Sequence, residues 1–208
     1  MLLVATFNSG KIREIEPFLA KLDFQVVGLD SLPGAGGSRE DGSTFEANAR
    51  QKAMHYSQFS EWLTLADDSG LKVDALDGQP GVQSARFLGE TATDAERCRE
   101  ILARLESFPE YRRRARFVCW LALACRGKIL EVFEGKVEGL IAREPRGENG
   151  FGYDPIFWLP SLGRTMGELT PAEKGAVSHR GEALRKLADF LESGRMPNSL
   201  GSLSGQGF

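Results

Sequence analysis

The chain has 208 residues, 41% hydrophobic and 26% charged, with a formal net charge of −3. That length can bury a substantial core without disulfides or a structural metal, and the acidic balance argues against nucleic acid as an obligate partner, because duplex binding is normally driven by a basic surface. No apolar run is long enough to span a bilayer, residues 1–6 lack the basic start and small-residue cleavage pattern of a signal peptide, and Cys98, Cys119 and Cys125 fall in no C-x-x-C spacing and read as reduced thiols. The expected location is the cytoplasm, with neither membrane nor nucleic acid as a partner.

Residues 1–7 read as a short buried strand. Asn8-Ser9-Gly10 interrupts it, and residues 11–22 follow as a helix with Ile12, Ile15, Leu19 and Leu22 at helical spacing. Residues 24–29 read as a second strand, and residues 31–38, with Pro33 and Gly34, Gly36 and Gly37, as a loop. A helix over 44–57 would be capped by Ser43 or Thr44 and turn Phe45, Ala49, Ala53 and Tyr56 inward. Residues 63–66 predict a short strand ending in the polar turn Asp67-Asp68-Ser69-Gly70, after which 71–76 run extended. Residues 94–105 form the next helix, with Ala95, Cys98, Leu102 and Leu105 on one side. Residues 116–125 and 128–140 read as long antiparallel strands joined at Arg126-Gly127. A glycine-rich loop over 147–153 carries aromatics, residues 181–191 form the last helix, and residues 194–208, rich in Gly and Ser, are expected to fray. Strands and helices interleave and hairpins are present, so the expected class is α/β with a mixed sheet.

Four places carry chemistry. Thr6, Asn8 and Lys11 sit where a strand hands over to a helix, where free amides, a positive dipole and a lysine suit an anion; a plain turn with a surface lysine reads the same. Glu40, Asp41, Asp67 and Asp68 are hard oxygen donors of the kind Mg²⁺ takes, or else a polar surface turn. In residues 147–155, Phe151 and Tyr153 could stack a nucleobase and Asp154 could accept from ring N–H groups, or the aromatics could simply enter the core. Lys174, His179 and Arg180 are clustered donors for oxyanions or carbonyl oxygens, or a solvated helix start. The basic run at residues 112–116 leads directly into an apolar strand and reads as its solvated entry rather than a nucleic-acid patch, while His55 reads as a surface residue.

In their order along the chain these segments resemble the inosine triphosphatase-like, non-canonical purine nucleoside triphosphate pyrophosphatases. Thr6-Phe7-Asn8-Ser9-Gly10-Lys11 with Glu14 is similar to the family's first motif, and Glu40-Asp41-Gly42-Ser43-Thr44-Phe45 with Asn48 and Ala49 to its second. Ala66-Asp67-Asp68-Ser69-Gly70-Leu71, running on to Pro80-Gly81 and Ser84-Ala85-Arg86, resembles the third. Gly150-Phe151-Gly152-Tyr153-Asp154-Pro155 with Phe157, then Glu173-Lys174 and Ser178-His179-Arg180, complete the pattern; Gly175 stands where the family often has Asn.

The resemblance implies an elongated two-lobed α/β fold. A long twisted mixed sheet is flanked by helices, and the active-site cleft lies between the lobes. It implies one domain over 1–191, a flexible tail over 192–208, and a homodimer. The activity it implies is Mg²⁺-dependent hydrolysis of ITP, dITP or XTP to the monophosphate and pyrophosphate. Asp68 would be the catalytic base, and Glu40 with Asp68 the metal ligands, Asp67 orienting its neighbour. Thr6, Asn8, Lys11 and Ser69 would hold the triphosphate, Phe151 would stack on the base, and Gly152, Tyr153, Asp154, Lys174, His179 and Arg180 would line the rest of the site. Two rivals are a nucleotide sensor without turnover and a pyrophosphatase for modified pyrimidines. The presence of both Asp68 and Glu40 speaks against the first, since a pure binder has no need of a base.

Overall fold

Leu2, Leu3 and Val4 are covered on both faces, and the chain there forms β1 (Leu2–Val4) between two parallel neighbours, β2 (Val26–Val27) and β3 (Leu63–Val73). A strand buried on both faces reads as an unbroken apolar run rather than an alternation. The other strands are antiparallel: β4 (Arg114–Cys125), β5 (Lys128–Ile141), β6 (Phe157–Leu159) and β7 (Arg164–Thr165). The seven-stranded mixed sheet runs in the order β2-β1-β3-β4-β5-β6-β7. This is the computed structural model of the chain, and it describes residues 1–22, 24–32 and 34–193; Pro33 and the expected frayed segment 194–208 lie outside the described residues.

Helices cover both faces of the sheet around β1, β3 and β4. α1 (Ser9–Leu19) and α5 (His179–Glu192) pack Ile15, Leu19, Ala183, Leu184 and Leu187 against Leu63, Leu65, Leu121 and Leu123. On the opposite face α2 (Phe45–Tyr56) lays Ala49, Ala53 and Tyr56 on Leu3, Ala66, Ala122 and Ala124. Thr44 is its N-cap, accepting from the Ala47 amide at 3.1 Å, a contact worth about 1 kcal/mol. A third cluster joins α3 (Asp94–Arg104) through Cys98, Ile101 and the adjacent Leu105 to Phe117, Ile141, Tyr153 and Phe157. The short α4 (Pro171–Val177) leads into α5 through Ser178. No helix among the described residues is long and apolar enough to cross a membrane, and all three cysteines are buried free thiols.

Four expectations change. The expected polar turn is the middle of one continuous eleven-residue strand, so Asp67 and Asp68 lie within β3 and not at a strand end. The ladder to β4 runs unbroken from Thr64 to Val73, whereas β1 pairs only with Leu63, Thr64 and Leu65. Beyond Leu65 no strand pairs with the β1 side of β3, and only its last residues are closed there, by a bridge between Lys72 and Pro80 and by the Leu71 and Val73 amides donating to Ser84 Oγ and the Gln79 carbonyl. Second, β1 and β2 are shorter than expected, α1 spans 9–19 rather than 11–22, and α5 begins at His179 rather than 181 and reaches Glu192, the first residue of the expected tail. Third, α4, β6 and β7 join the elements. Fourth, Arg113 is not solvated: it is 2% exposed, and its guanidinium donates to the carbonyls of Leu105, Ile141 and Ala142. Those carbonyls lie at the ends of α3 and β5, so the arginine fastens the two together.

Candidate active site

A cavity of about 360 Å³ opens beside the unpaired edge of β3, within the range that holds a small ligand. Thirteen of the residues proposed from sequence line it: Thr6, Asn8, Lys11, Glu40, Asp68, Ser69, Phe151, Gly152, Tyr153, Asp154, Lys174, His179 and Arg180. Asp41 is exposed and does not line it.

At the α1 end, Asn8 caps the helix, its Oδ1 accepting the Lys11 amide at 3.0 Å, and the Asn8 amide donates to Thr6 Oγ1 at 3.2 Å. The capping fixes the turn that presents Lys11. Gly10 serves a purpose other than the backbone approach that a strand-to-helix turn suggests: a Cβ there would meet the Phe151 ring at 2.6 Å, so the glycine makes room for the aromatic loop.

Neighbouring residues of a strand point to opposite faces, and this separates the two aspartates. Asp67 faces α1 and α5. It is 1% exposed, its Oδ1 is paired with Lys11 Nζ and accepts the Ser69 hydroxyl at 3.0 Å, and its Oδ2 accepts Arg180 Nε at 2.8 Å and the Cys119 thiol at 3.2 Å. Burial alone would raise this carboxyl, but Arg180 and Lys11 outweigh it and hold Asp67 well below the usual carboxylate range. Asp67 thus fixes Lys11, Arg180 and Ser69, makes no bond to Asp68 among the described residues, and does not itself line the cavity.

Asp68 faces α2. Its Oδ2 accepts Asn48 Nδ2 at 3.0 Å, and among the described residues Oδ1 has no protein hydrogen bond. Burial raises its carboxyl despite Lys11, Lys52 and Asn48. Glu40 also lines the cavity, its Oε1 paired with Lys52 Nζ at 2.9 Å, and its backbone carbonyl accepts Arg86 at 3.1 Å. Among the described residues no three His, Cys, Asp or Glu side chains gather as a metal cage. Two carboxylates in one cavity are nevertheless the form suited to Mg²⁺, which keeps several waters and completes its shell from phosphate.

The aromatic loop packs against the start of α1. Phe151 is half-buried, with Lys174 Nζ 4.9 Å and Arg180 Cζ 5.7 Å from its ring centre. Tyr153 enters the core instead of offering a flat face, and its hydroxyl donates to the Ser84 carbonyl at 2.9 Å. Asp154 Oδ2 accepts the Phe151 amide at 2.8 Å and pairs with Lys174, so one of its oxygens is committed to the protein. Glu14 pairs with both Lys174, at 2.5 Å, and Arg180. His179 is 4% exposed, stacks on Phe117 at 4.8 Å, and among the described residues its Nδ1 has no hydrogen-bond partner. Burial first, then Arg180 and Lys174, depress its pKa, so its ring is neutral.

Three site residues escape the sequence reading. Lys52 lies between Asn48 and Tyr56 on the buried face of α2, where it binds Glu40 and the Asp67 carbonyl, the latter at 3.2 Å. A signal is present: a lysine within an inward stripe is rarely buried unless paired. Asn48 and Glu14 enter the sequence reading as parts of a pattern, with no role.

The comparisons agree with one another. The model of the Ham1 family matches residues 2–190. A dITP/XTP pyrophosphatase of Geobacillus kaustophilus is 48% identical over 191 residues, covering 92% of this chain and 94% of that protein. A HAM1 protein from Coxiella burnetii has a solved structure similar to this fold, with a TM-score of 0.84 at 44% identity, covering 92% of this chain and 98% of that one. A nucleoside-triphosphatase, dITP/XTP pyrophosphatase from Mycobacterium abscessus gives a TM-score of 0.73, also at 44% identity, covering 89% and 97%.

Proposed function

The chain belongs to the Ham1 family, and from that premise we propose that it hydrolyses ITP, dITP and XTP to the nucleoside monophosphate and pyrophosphate. One observation carries the reading. A single cavity is lined by an anion-suited helix start, two carboxylates, and an aromatic loop with cations. Lys11, Thr6, Asn8 and Ser69 hold the triphosphate. Lys11 reaches it by sharing its ammonium between phosphate and Asp67.

Asp68 is the base that takes a proton from the water attacking the α-phosphorus. Its Oδ1, which has no protein hydrogen bond among the described residues, is available for that proton. Glu40 and Asp68 would hold Mg²⁺, which when bound supplies charge neutralisation at the phosphates. Phosphoryl substitution needs such stabilisation and an in-line nucleophile more than covalent help from protein.

The base lies against Phe151. Lys174 and Arg180 carry donors only. A 6-oxo purine offers them an acceptor, whereas the 6-amino group of adenine would oppose donor to donor. His179, being neutral, can present either a donor or an acceptor and discriminates less. An unmet buried hydrogen bond can separate substrates by about 10⁴ or more, so ATP is the nucleotide most strongly rejected.

The same reading takes residues 1–191 as one domain, elongated and two-lobed. Support comes from two separate hydrophobic clusters, whose elements both contribute residues to the cavity lining. It also takes the chain as a cytoplasmic homodimer, for which sedimentation at twice 22.8 kDa is the expected result and a 22.8 kDa monomer at micromolar concentration the contrary one.

The test is a nucleotide panel of ITP, dITP, XTP, GTP, ATP and modified pyrimidine triphosphates, with product analysis, in Mg²⁺ and in excess EDTA. Pyrophosphate from ITP and XTP only when metal is present is the expected result. Orthophosphate as first product, full activity in EDTA, equal kcat/KM for ITP and ATP, or a preference for pyrimidines would reject the reading.

A further inference from the structure

We propose that the start of α3, through Asp94, Arg97 and Cys98, is the positioning device that holds Phe151 ready to stack a nucleobase. The inference rests on the reading that Phe151 stacks the base.

The residue after Phe151 is Gly152, whose φ of +63° is a conformation that favours glycine. Both of its backbone polar groups are taken by α3. The Gly152 amide donates to Asp94 Oδ2 at 2.7 Å, and its carbonyl accepts the Cys98 thiol at 3.4 Å. Asp94 and Cys98 are four residues apart, so they stand one above the other on the same helix face. The Phe151 amide meanwhile donates to Asp154 at 2.8 Å. Two successive amides of the loop are thus held by two different carboxylates, Asp154 from within the loop and Asp94 from outside it.

Arg97 makes the outer hold rigid. It is 8% exposed, donates to Asp94 Oδ1 at 3.1 Å, and spends its other donors on the carbonyls of Phe87 at 3.0 Å and Gly89 at 3.2 Å. The helix behind it is anchored in its hydrophobic cluster by Ile101 and Leu105, both fully buried, and its first turn is set by the reciprocal Thr93–Glu96 capping box. A glycine-rich loop left to itself would have to be ordered by each arriving substrate, which weakens binding. Fixing it beforehand through a charge-assisted bond removes that cost. Among the described residues the clamp makes no hydrogen bond to Asp68 or Glu40, so its loss should be felt in nucleotide binding rather than in the chemical step.

The experiment measures KM and kcat for ITP and dITP, and inhibition by inorganic tripolyphosphate, which has no base to stack. The proteins are wild type, Phe151→Ala, Asp94→Ala, Asp94→Asn and the Asp94→Ala/Phe151→Ala pair. Asp94→Ala is expected to raise KM about tenfold for both nucleotides, with kcat within about twofold and tripolyphosphate inhibition unchanged. Asp94→Asn, which keeps an acceptor for the Gly152 amide, should recover most of the loss. The double variant should be no worse than Phe151→Ala alone, because the clamp acts only through the ring.

Wild-type KM in Asp94→Ala, additive losses in the double variant, or parallel loss of tripolyphosphate inhibition would overturn the clamp while leaving the stacking reading intact. A penalty confined to ITP over dITP would make Asp94 a direct ribose contact and would also overturn it. An unchanged KM in Phe151→Ala would remove the stacking reading itself, and the clamp with it.

Discussion

The two faces of β3 treat the same side chain in opposite ways. Toward α1 and α5, Asp67 is surrounded by Lys11, Arg180, Ser69 and Cys119, and its carboxyl is held low; toward α2, Asp68 has one amide bond from Asn48 and a carboxyl that burial pushes up. Adjacent positions in a strand cannot share a partner set, because their side chains leave the backbone in opposite directions. One face therefore builds a saturated ionic hub that fixes the cations of the cavity, and the other keeps a carboxylate with an unused oxygen. The difference teaches that a paired Asp-Asp in a strand is two environments, not one cluster. The half of the pair with fewer partners is the one left able to do chemistry.

The comparison breaks most sharply at Asp68. Asp68→Asn should lower kcat by about 10²–10⁴, the usual contribution of a positioned base, while ITP binding survives. Because burial dominates the shift on Asp68, removing its charge should leave the melting temperature equal to or above that of the wild type. Wild-type turnover, or a protein that falls apart, would cancel the assignment; kcat under saturating ITP and a melting curve on the same sample check both.

Asp67→Asn should do the reverse to stability. It leaves Arg180 and Lys11 facing a neutral group in a site that is 1% exposed, and breaking a buried pair of this kind costs about 3–5 kcal/mol. Urea unfolding at neutral pH measures it. A stability within experimental error of wild type would mean that Glu14 and Ser69 suffice for the cations and that Asp67 is no hub.

The smallest effect concerns pH. Burial raises Asp68 in the metal-free chain, so its carboxyl, followed by NMR without Mg²⁺, should titrate above the ordinary aspartate value of about 3.9. Asp67 is depressed in the folded chain. The stability it contributes is present above the unfolded value of about 3.9 and is lost as pH falls through its lower folded value. Asp68 should therefore take up its proton at a higher pH than that at which the stabilisation from Asp67 is lost. A titration of Asp68 that coincides with acid unfolding would erase the distinction between the two faces.

Much of this arrangement is legible in the sequence. Phe45, Ala49, Ala53 and Tyr56 at helical spacing mark the inner face of α2, and all four are buried. The long hairpin of β4 and β5 follows from two apolar runs meeting at Arg126-Gly127, both of which have positive φ. What fails does so for tertiary reasons. Asp67-Asp68-Ser69-Gly70 has the composition of a turn, and only partners far along the chain, Lys11, Asn48, Arg180 and the β4 ladder, make it a strand. Arg113 looks solvated because its three carbonyl acceptors belong to residues brought near only by folding. β6 and β7, with three and two residues, are too short to carry a period. The site residues emerge from the order of their motifs; Lys52 escapes because one buried lysine in a helix has no motif of its own.

The central claim is that water activated on the Asp68 face attacks the α-phosphorus. Hydrolysis of ITP in ¹⁸O-labelled water, followed by mass analysis of both products, tests it most directly. The label should appear in the phosphate of inosine monophosphate and be absent from pyrophosphate. Label in the pyrophosphate would place the attack on the β-phosphorus and contradict the account.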